Sequence, residues 1–203
     1  MNTIRDVTLD VLPELMAGLH AQVVRDFPAE VVVYLEEGAR VPALHLARCG
    51  EWPVLPLRIQ RPDSRWKRLA RPILGRLPAA ATAWLRQREA NKKFHRRAPR
   101  VLATGTPRAD LAGRRVLIFD DAADSGSSLL MARAWVEECG ARREDVRTAV
   151  ITVTTPLGRE VVDFTLFEGL CRFPWSADSA EERAHAALHR ALLAEVEARR
   201  WSR

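Results

Sequence analysis

The sequence is short of the features that staple, span or repeat. Its three cysteines, Cys49, Cys139 and Cys171, form no C-x-x-C pair. Neither a disulfide framework nor a zinc cluster is indicated, and reduced, mostly buried thiols are expected. No apolar run approaches the roughly 18 residues of a spanning helix. The opening Met1-Asn2-Thr3-Ile4-Arg5-Asp6 lacks the basic-then-apolar layout of a signal peptide, so a cytoplasmic protein with no membrane partner is expected. G-x-x-x-x-G-K-[ST] and G-x-G-x-x-G are both missing, which removes the P-loop and the dinucleotide fingerprint. There is no internal repeat. What remains is 203 residues, 47% hydrophobic and 29% charged, the balance of an ordinary globular chain. That length points to a single domain over residues 1–203.

Charge is unevenly placed. The net charge is +6, yet Arg58 to Arg100 holds fourteen Lys or Arg against two acids, leaving eighteen basic and twenty-four acidic residues elsewhere. A mildly acidic body with one concentrated basic segment suggests an anionic partner, whether phosphate, polynucleotide or lipid head group; a solvated insertion has the same composition. Pro62, Pro72, Pro78 and Pro99 with Trp66 and Trp84 mark this stretch as a long excursion, and such excursions in compact domains serve as lids or are disordered. Residues 58–104 are therefore expected to form a basic lid or hood.

Around it the pattern alternates. Leu12, Leu15, Met16, Leu19 and Val23 make one helical stripe, with Asp10 as a cap before Pro13. Val31 to Leu35 reads as a strand, followed by a loop and then a helix carrying Val41, Leu44 and Ala47 up to Gly50. Val54 to Ile59, Val116 to Phe119, Val146 to Val153 and Val161 to Phe167 read as further strands, Ser128 to Cys139 as a helix, and 178–203 as a charged C-terminal helical segment. Strands alternating with helices predict an α/β fold with a mainly parallel twisted sheet, whose ligands collect at the carboxyl ends of the strands.

The strongest chemical signal is Asp120-Asp121-Ala122-Ala123-Asp124-Ser125-Gly126-Ser127-Ser128. The serines and glycine offer hydroxyls and backbone N–H groups where a helix begins and its dipole favours phosphate. Asp120 and Asp121 can accept hydrogen bonds from sugar hydroxyls or hold hydrated Mg²⁺. Helix capping alone would use one such residue; three acids and three serines in nine positions exceed that need.

Val116 to Ser128 resembles the phosphoribosyl-pyrophosphate signature of type I phosphoribosyltransferases, with alanines at 122 and 123 where larger aliphatics are usual. Val161-Val162-Asp163-Phe164 and Arg172-Phe173-Pro174-Trp175 resemble the xanthine-guanine branch, whose Asp-aromatic and Pro-Trp pairs enclose a purine. The resemblance implies transfer of ribose 5-phosphate between phosphoribosyl pyrophosphate and a nucleobase or nucleotide, Mg²⁺ as cofactor, and a homo-oligomer. It puts Asp120 and Asp121 on the ribose and metal, Ser125, Gly126, Ser127 and Ser128 on the 5′-phosphate, and Asp124 beside the base as acid/base. The base pocket would draw on Thr155, Asp163, Phe164, Leu170 and Trp175. Glu36, Glu37, Gly38, Ala39 and Arg40 match the pyrophosphate loop.

This last stretch departs from the family. An acid stands where a cation is expected, and alanine replaces the second glycine. Carboxylates there repel pyrophosphate unless Mg²⁺ bridges them or Arg40 turns inward. At the base, Thr155 stands in place of a lysine and Leu170 in place of a stacking aromatic. The alternative function is a regulatory protein that senses phosphoribosyl pyrophosphate or a nucleotide and binds RNA or DNA through its basic segment. Among smaller signals, His185 and His189, spaced i, i+4 after Glu181, could face a metal but read as a solvated helix face. His20 and His45 read as packing residues.

Overall fold

The computed structural model describes residues 4–60, 101–103, 109–176 and 178–201. Most of the expected basic lid, including Trp66 and Trp84, lies outside the described residues.

Helix α1 (Leu12–Asp26) turns Leu12, Met16, Leu19 and Val23 inward. Its cap position is Val11, without a side-chain cap. Asp10 is not the cap: its carboxylate accepts instead from the Thr8 hydroxyl. After a short β1 (Arg5–Asp6) and α1 come β2 (Val31–Leu35), α2 (Glu36–Gly50), β3 (Val54–Leu57) and β4 (Ile59–Gln60). Then follow β5 (Val101–Leu102), β6 (Val116–Ala123), α3 (Ser127–Glu138), β7 (Val146–Val153), the single turn α4 (Pro156–Arg159), β8 (Phe164–Glu168), β9 (Cys171–Arg172), α5 (Glu182–Ala191) and α6 (Leu193–Ala198).

Five strands form one all-parallel sheet in the order β3-β2-β6-β7-β8. The apolar runs of β2, β6 and β7 suit strands covered on both faces. Alternate residues feed two cores. Val32, Tyr34, Leu117, Phe119 and Ile151 pack under α1 and α2. Val31, Val33, Val116, Ile118 and Val150 pack under α3 through Leu129, Ala132, Trp135 and Val136. The expected parallel α/β sheet flanked by helices is what the chain forms.

Four boundaries differ from the sequence reading. The 54–59 strand is two elements: β3 pairs with β2, while β4 pairs antiparallel with β5. The last sheet strand starts at Phe164 rather than Val161. The C-terminal segment is two helices divided at Leu192, which is buried in the α1–α2 core, and beyond them Arg200 bridges to Val54. The expected loop at 36–40 is the beginning of α2, which starts directly at Glu36. That beginning is irregular: Gly38 has φ +146°, four residues before Pro42, whose missing N–H and bulky ring prevent a regular turn against residue 38.

Candidate active site

The carboxyl end of β6 opens into a cleft of about 260 Å³ lined by Leu35, Glu36, Ile59 and residues 120–129. Asp120 and Asp121 belong to the strand rather than to a loop, because β6 stays in register with β7 as far as Ala123. Only 124–126 turn. Gly126 makes that turn possible with φ +71°, and a side chain there would collide with Val161. Its carbonyl accepts the N–H of Leu130, so α3 begins at Ser127 with Gly126, which has no side chain, at its cap position. The Ser125 and Ser127 hydroxyls lie 2.9 Å apart. Hydroxyls and helix-start amides thus face one cleft wall, a geometry that holds a phosphate.

Asp120 and Asp121 are crowded like charges. Burial pushes the Asp120 carboxyl well above the usual range, and the neighbouring Asp121 charge pushes the same way. Burial also raises Asp121, although the indole of Trp175 partly offsets it by donating to Asp121 Oδ2 at 2.5 Å. Among the described residues neither carboxylate has an ion-pair partner, so the pair favours binding a cation or a donor of hydrogen bonds. No cluster of three or more metal-ligating side chains occurs among the described residues. Two carboxylates plus a ligand's own oxygens are, however, the usual setting for Mg²⁺, and the pair fits that role.

Asp124 follows on the turn. Its Oδ1 accepts from the Thr154 hydroxyl at 2.6 Å, which fixes the carboxylate. Thr154 was not singled out from sequence; a polar residue at the carboxyl end of β7 was the available signal. Ile59 of the cleft wall gave none.

The Glu36–Arg40 stretch reaches the same cleft in part. Glu36 lines it, with Arg40 at 3.4 Å on one oxygen and Arg58 at 3.7 Å on the other. Arg40 turns away, its Nη1 3.4 Å from His189 Nδ1. A Cβ on Gly38 would fall 2.5 Å from Asp121 Oδ2 and 3.0 Å from Trp175 Nε1, so this backbone sits against the acid pair and only glycine fits. Ala39 is buried in the core.

The expected base pocket does not assemble as a unit. Asp163 stands beside Thr148, five residues along β7 from Val153, or about 16 Å at the strand rise. It accepts from the Thr148 N–H at 2.7 Å and hydroxyl at 2.9 Å, and pairs with Arg133 at 3.3 Å. Phe164, next along, packs into the α1–α2 core. Both lie remote from the carboxyl end of the sheet. Thr155 is buried, its hydroxyl donating to the Asp124 carbonyl at 2.5 Å. Leu170 lies beyond β8, where its carbonyl accepts from the Arg5 N–H. Trp175 does reach the acids. His185 and His189 do not form a solvated face: His185 is buried against Trp175, and His189 meets Arg40.

Solved structures share the fold. A purine phosphoribosyltransferase from Pyrococcus horikoshii aligns with TM-score 0.60 at 18% identity over 87% of this chain and 95% of its own. A xanthine-guanine-hypoxanthine phosphoribosyltransferase from Helicobacter pylori gives 0.58 at 11% identity over 92% and 99%. A hypothetical protein from Neisseria gonorrhoeae with bound ppGpp gives 0.56 at 16% identity over 94% and 98%. No curated protein matches in sequence. The family model of the phosphoribosyl transferase domain matches residues 68–182, more than half of the chain and all of the acid-serine turn, and the chain belongs to that family.

Proposed function

We propose that the protein is a phosphoribosyltransferase moving ribose 5-phosphate between phosphoribosyl pyrophosphate and a purine-like base. The observation that carries this reading is the cleft itself, where three carboxylates and a serine-lined helix start share a single strand–turn–helix. The 5′-phosphate is taken by Ser125, Gly126, Ser127 and Ser128 through hydroxyls and helix-start amides. Asp120 and Asp121 accept from the ribose hydroxyls and are the residues that would hold Mg²⁺, which when bound neutralises pyrophosphate charge. Asp124, held by Thr154, faces the base. As the bond from C1′ to the pyrophosphate oxygen breaks, pyrophosphate leaves with the electron pair. The base nitrogen bonds to C1′, and its proton passes to Asp124, whose charge also stabilises the cationic sugar. The purine preference is supported by the kind of protein that shares the fold. In this reading the concentrated positive charge of residues 58–104 attracts the donor's phosphates.

The test is pyrophosphate release from phosphoribosyl pyrophosphate with Mg²⁺ across hypoxanthine, guanine, xanthine and adenine. Release with at least one base is expected. Tight donor binding with no turnover on any base would leave the sensing alternative in its place.

A further inference from the structure

Two chains of contacts leave the cleft and end on the same face of α5. One runs from Asp121 to the Trp175 indole N–H and from Trp175 to His185, rings 5.2 Å apart and tilted by 48°. The other runs from Glu36 to Arg40 and from Arg40 to His189. His185 and His189 lie one helical turn apart, with ring centroids 5.7 Å from each other. The two chains close on each other at the cleft as well, because Gly38 abuts both Asp121 and Trp175.

The indole of Trp175 is engaged by three partners. Phe173 stacks on it at 4.8 Å with planes 3° apart, His185 tilts against it, and Asp121 takes its N–H. Those contacts suit a residue that holds its neighbour better than one that stacks on a ligand. His185 acts through its ring faces, since its buried Nε2 has no hydrogen-bond partner among the described residues. Tilted aromatic pairs of this kind favour one relative orientation. The start of α5 is itself tied down, with Glu181 accepting from the Leu9 N–H at 2.9 Å.

We propose that α5 is the positioning element of the acid cleft: His185, acting through Trp175, sets the orientation of the Asp121 carboxylate, and His189, acting through Arg40, sets Glu36. The proposal rests on reading the cleft as the donor site, but the linkage itself can be read without substrate. In the full-length protein, the Trp175 indole N–H resonance, assigned by its disappearance in Trp175→Phe, reports the bond to Asp121. His185→Ala is expected to shift it, and to raise the dissociation constant for phosphoribosyl pyrophosphate about fivefold, the equivalent of one net hydrogen bond. His185→Phe, which keeps the ring faces, should restore both. His189→Leu, which frees Arg40 and so leaves Glu36 less screened, should weaken donor binding, and His189→Gln, which keeps an acceptor for Arg40, should restore it. If His185→Ala fails to fold, His185→Leu keeps the volume, loses the ring and is read in the same way. An indole resonance that does not move in the folded His185 variant overturns the proposal, whether or not the protein binds the donor. A resonance that moves in a protein that binds no donor upholds the linkage and overturns the proposed function instead. Equal loss of donor binding in His185→Phe and His185→Ala would also overturn it.

Discussion

The two walls of the cleft are built on opposite principles. At the end of β6 the carboxylates of Asp120 and Asp121 are crowded together without an ion-pair partner among the described residues, and beside them the cap position of α3 is Gly126, which has no side chain to bond the first turn. At the start of α2 the charges are already matched, with Glu36 between Arg40 and Arg58 and Arg40 shared with His189. The first wall has unsatisfied electrostatics that a ligand can complete; the second must give up internal pairs before it can take anything. A binding wall can therefore be recognised by what it leaves unpaired more than by how many charges it carries.

The largest effect expected on the first wall is at Asp124. Asp124→Asn keeps an oxygen for the Thr154 hydroxyl but removes the proton acceptor, so turnover should fall by about a hundredfold or more with donor KM nearly unchanged. Steady-state kinetics decide it, and a loss confined to KM would make Asp124 a binding residue.

Asp120→Asn should weaken donor binding by about 2 kcal/mol, roughly thirtyfold, and yet stabilise the unliganded fold. The sign follows from the raised carboxyl. A group whose folded pKa exceeds its unfolded value contributes stability that is complete below the usual carboxylate range and is lost as pH rises through the folded value. At pH 7 to 8 the parent bears that cost and the asparagine variant does not, so its Tm should be higher there and the difference should close towards acid. A lower Tm across the whole range would mean that Asp120 is a structural acceptor rather than a strained ligand.

The contrast between the walls also explains what the sequence made legible. The parallel sheet was visible because β2, β6 and β7 are apolar runs bounded by polar turns, and the acid-serine site because its residues are contiguous. The level of Asp163 in the sheet was not legible, because a motif names residue types but not strand ends. An aspartate at the amino side of β8 reads like one at the carboxyl end until pairing with Thr148 fixes its level. The start of α2 reads as a loop because Gly38 and Pro42 are loop-forming residues, yet both stand inside the helix, Gly38 set against Asp121 and Trp175. The His185–Trp175 contact spans separate elements, and no local spacing announces it.

A smaller loss is expected at the serines. Ser127→Ala combined with Ser128→Ala removes two hydroxyls while the backbone amides remain, so affinity for 5′-phosphorylated ribose should fall by on the order of 1 kcal/mol, about fivefold. Calorimetric titration of a nucleoside monophosphate against its nucleoside measures it, and equal weakening of both ligands would place the phosphate elsewhere.

The smallest effect, and the one that bears most directly on the contrast, is at Glu36. Its carboxylate lines the cleft and carries two guanidinium partners at 3.4 and 3.7 Å, so its repulsion of an incoming pyrophosphate is already largely screened. Glu36→Gln removes that remaining repulsion and loosens Arg40 from the α2 wall. At an effective dielectric near 20 and after screening, the gain should be only about 0.6 kcal/mol, or roughly threefold. It should appear for phosphoribosyl pyrophosphate and be absent for the nucleoside monophosphate, because only the former brings charge to this wall. Parallel titration of the two ligands gives the answer. Weaker donor binding in Glu36→Gln would show that the matched wall works by holding Arg40 in place, and that its internal pairs are part of the site rather than a barrier to it.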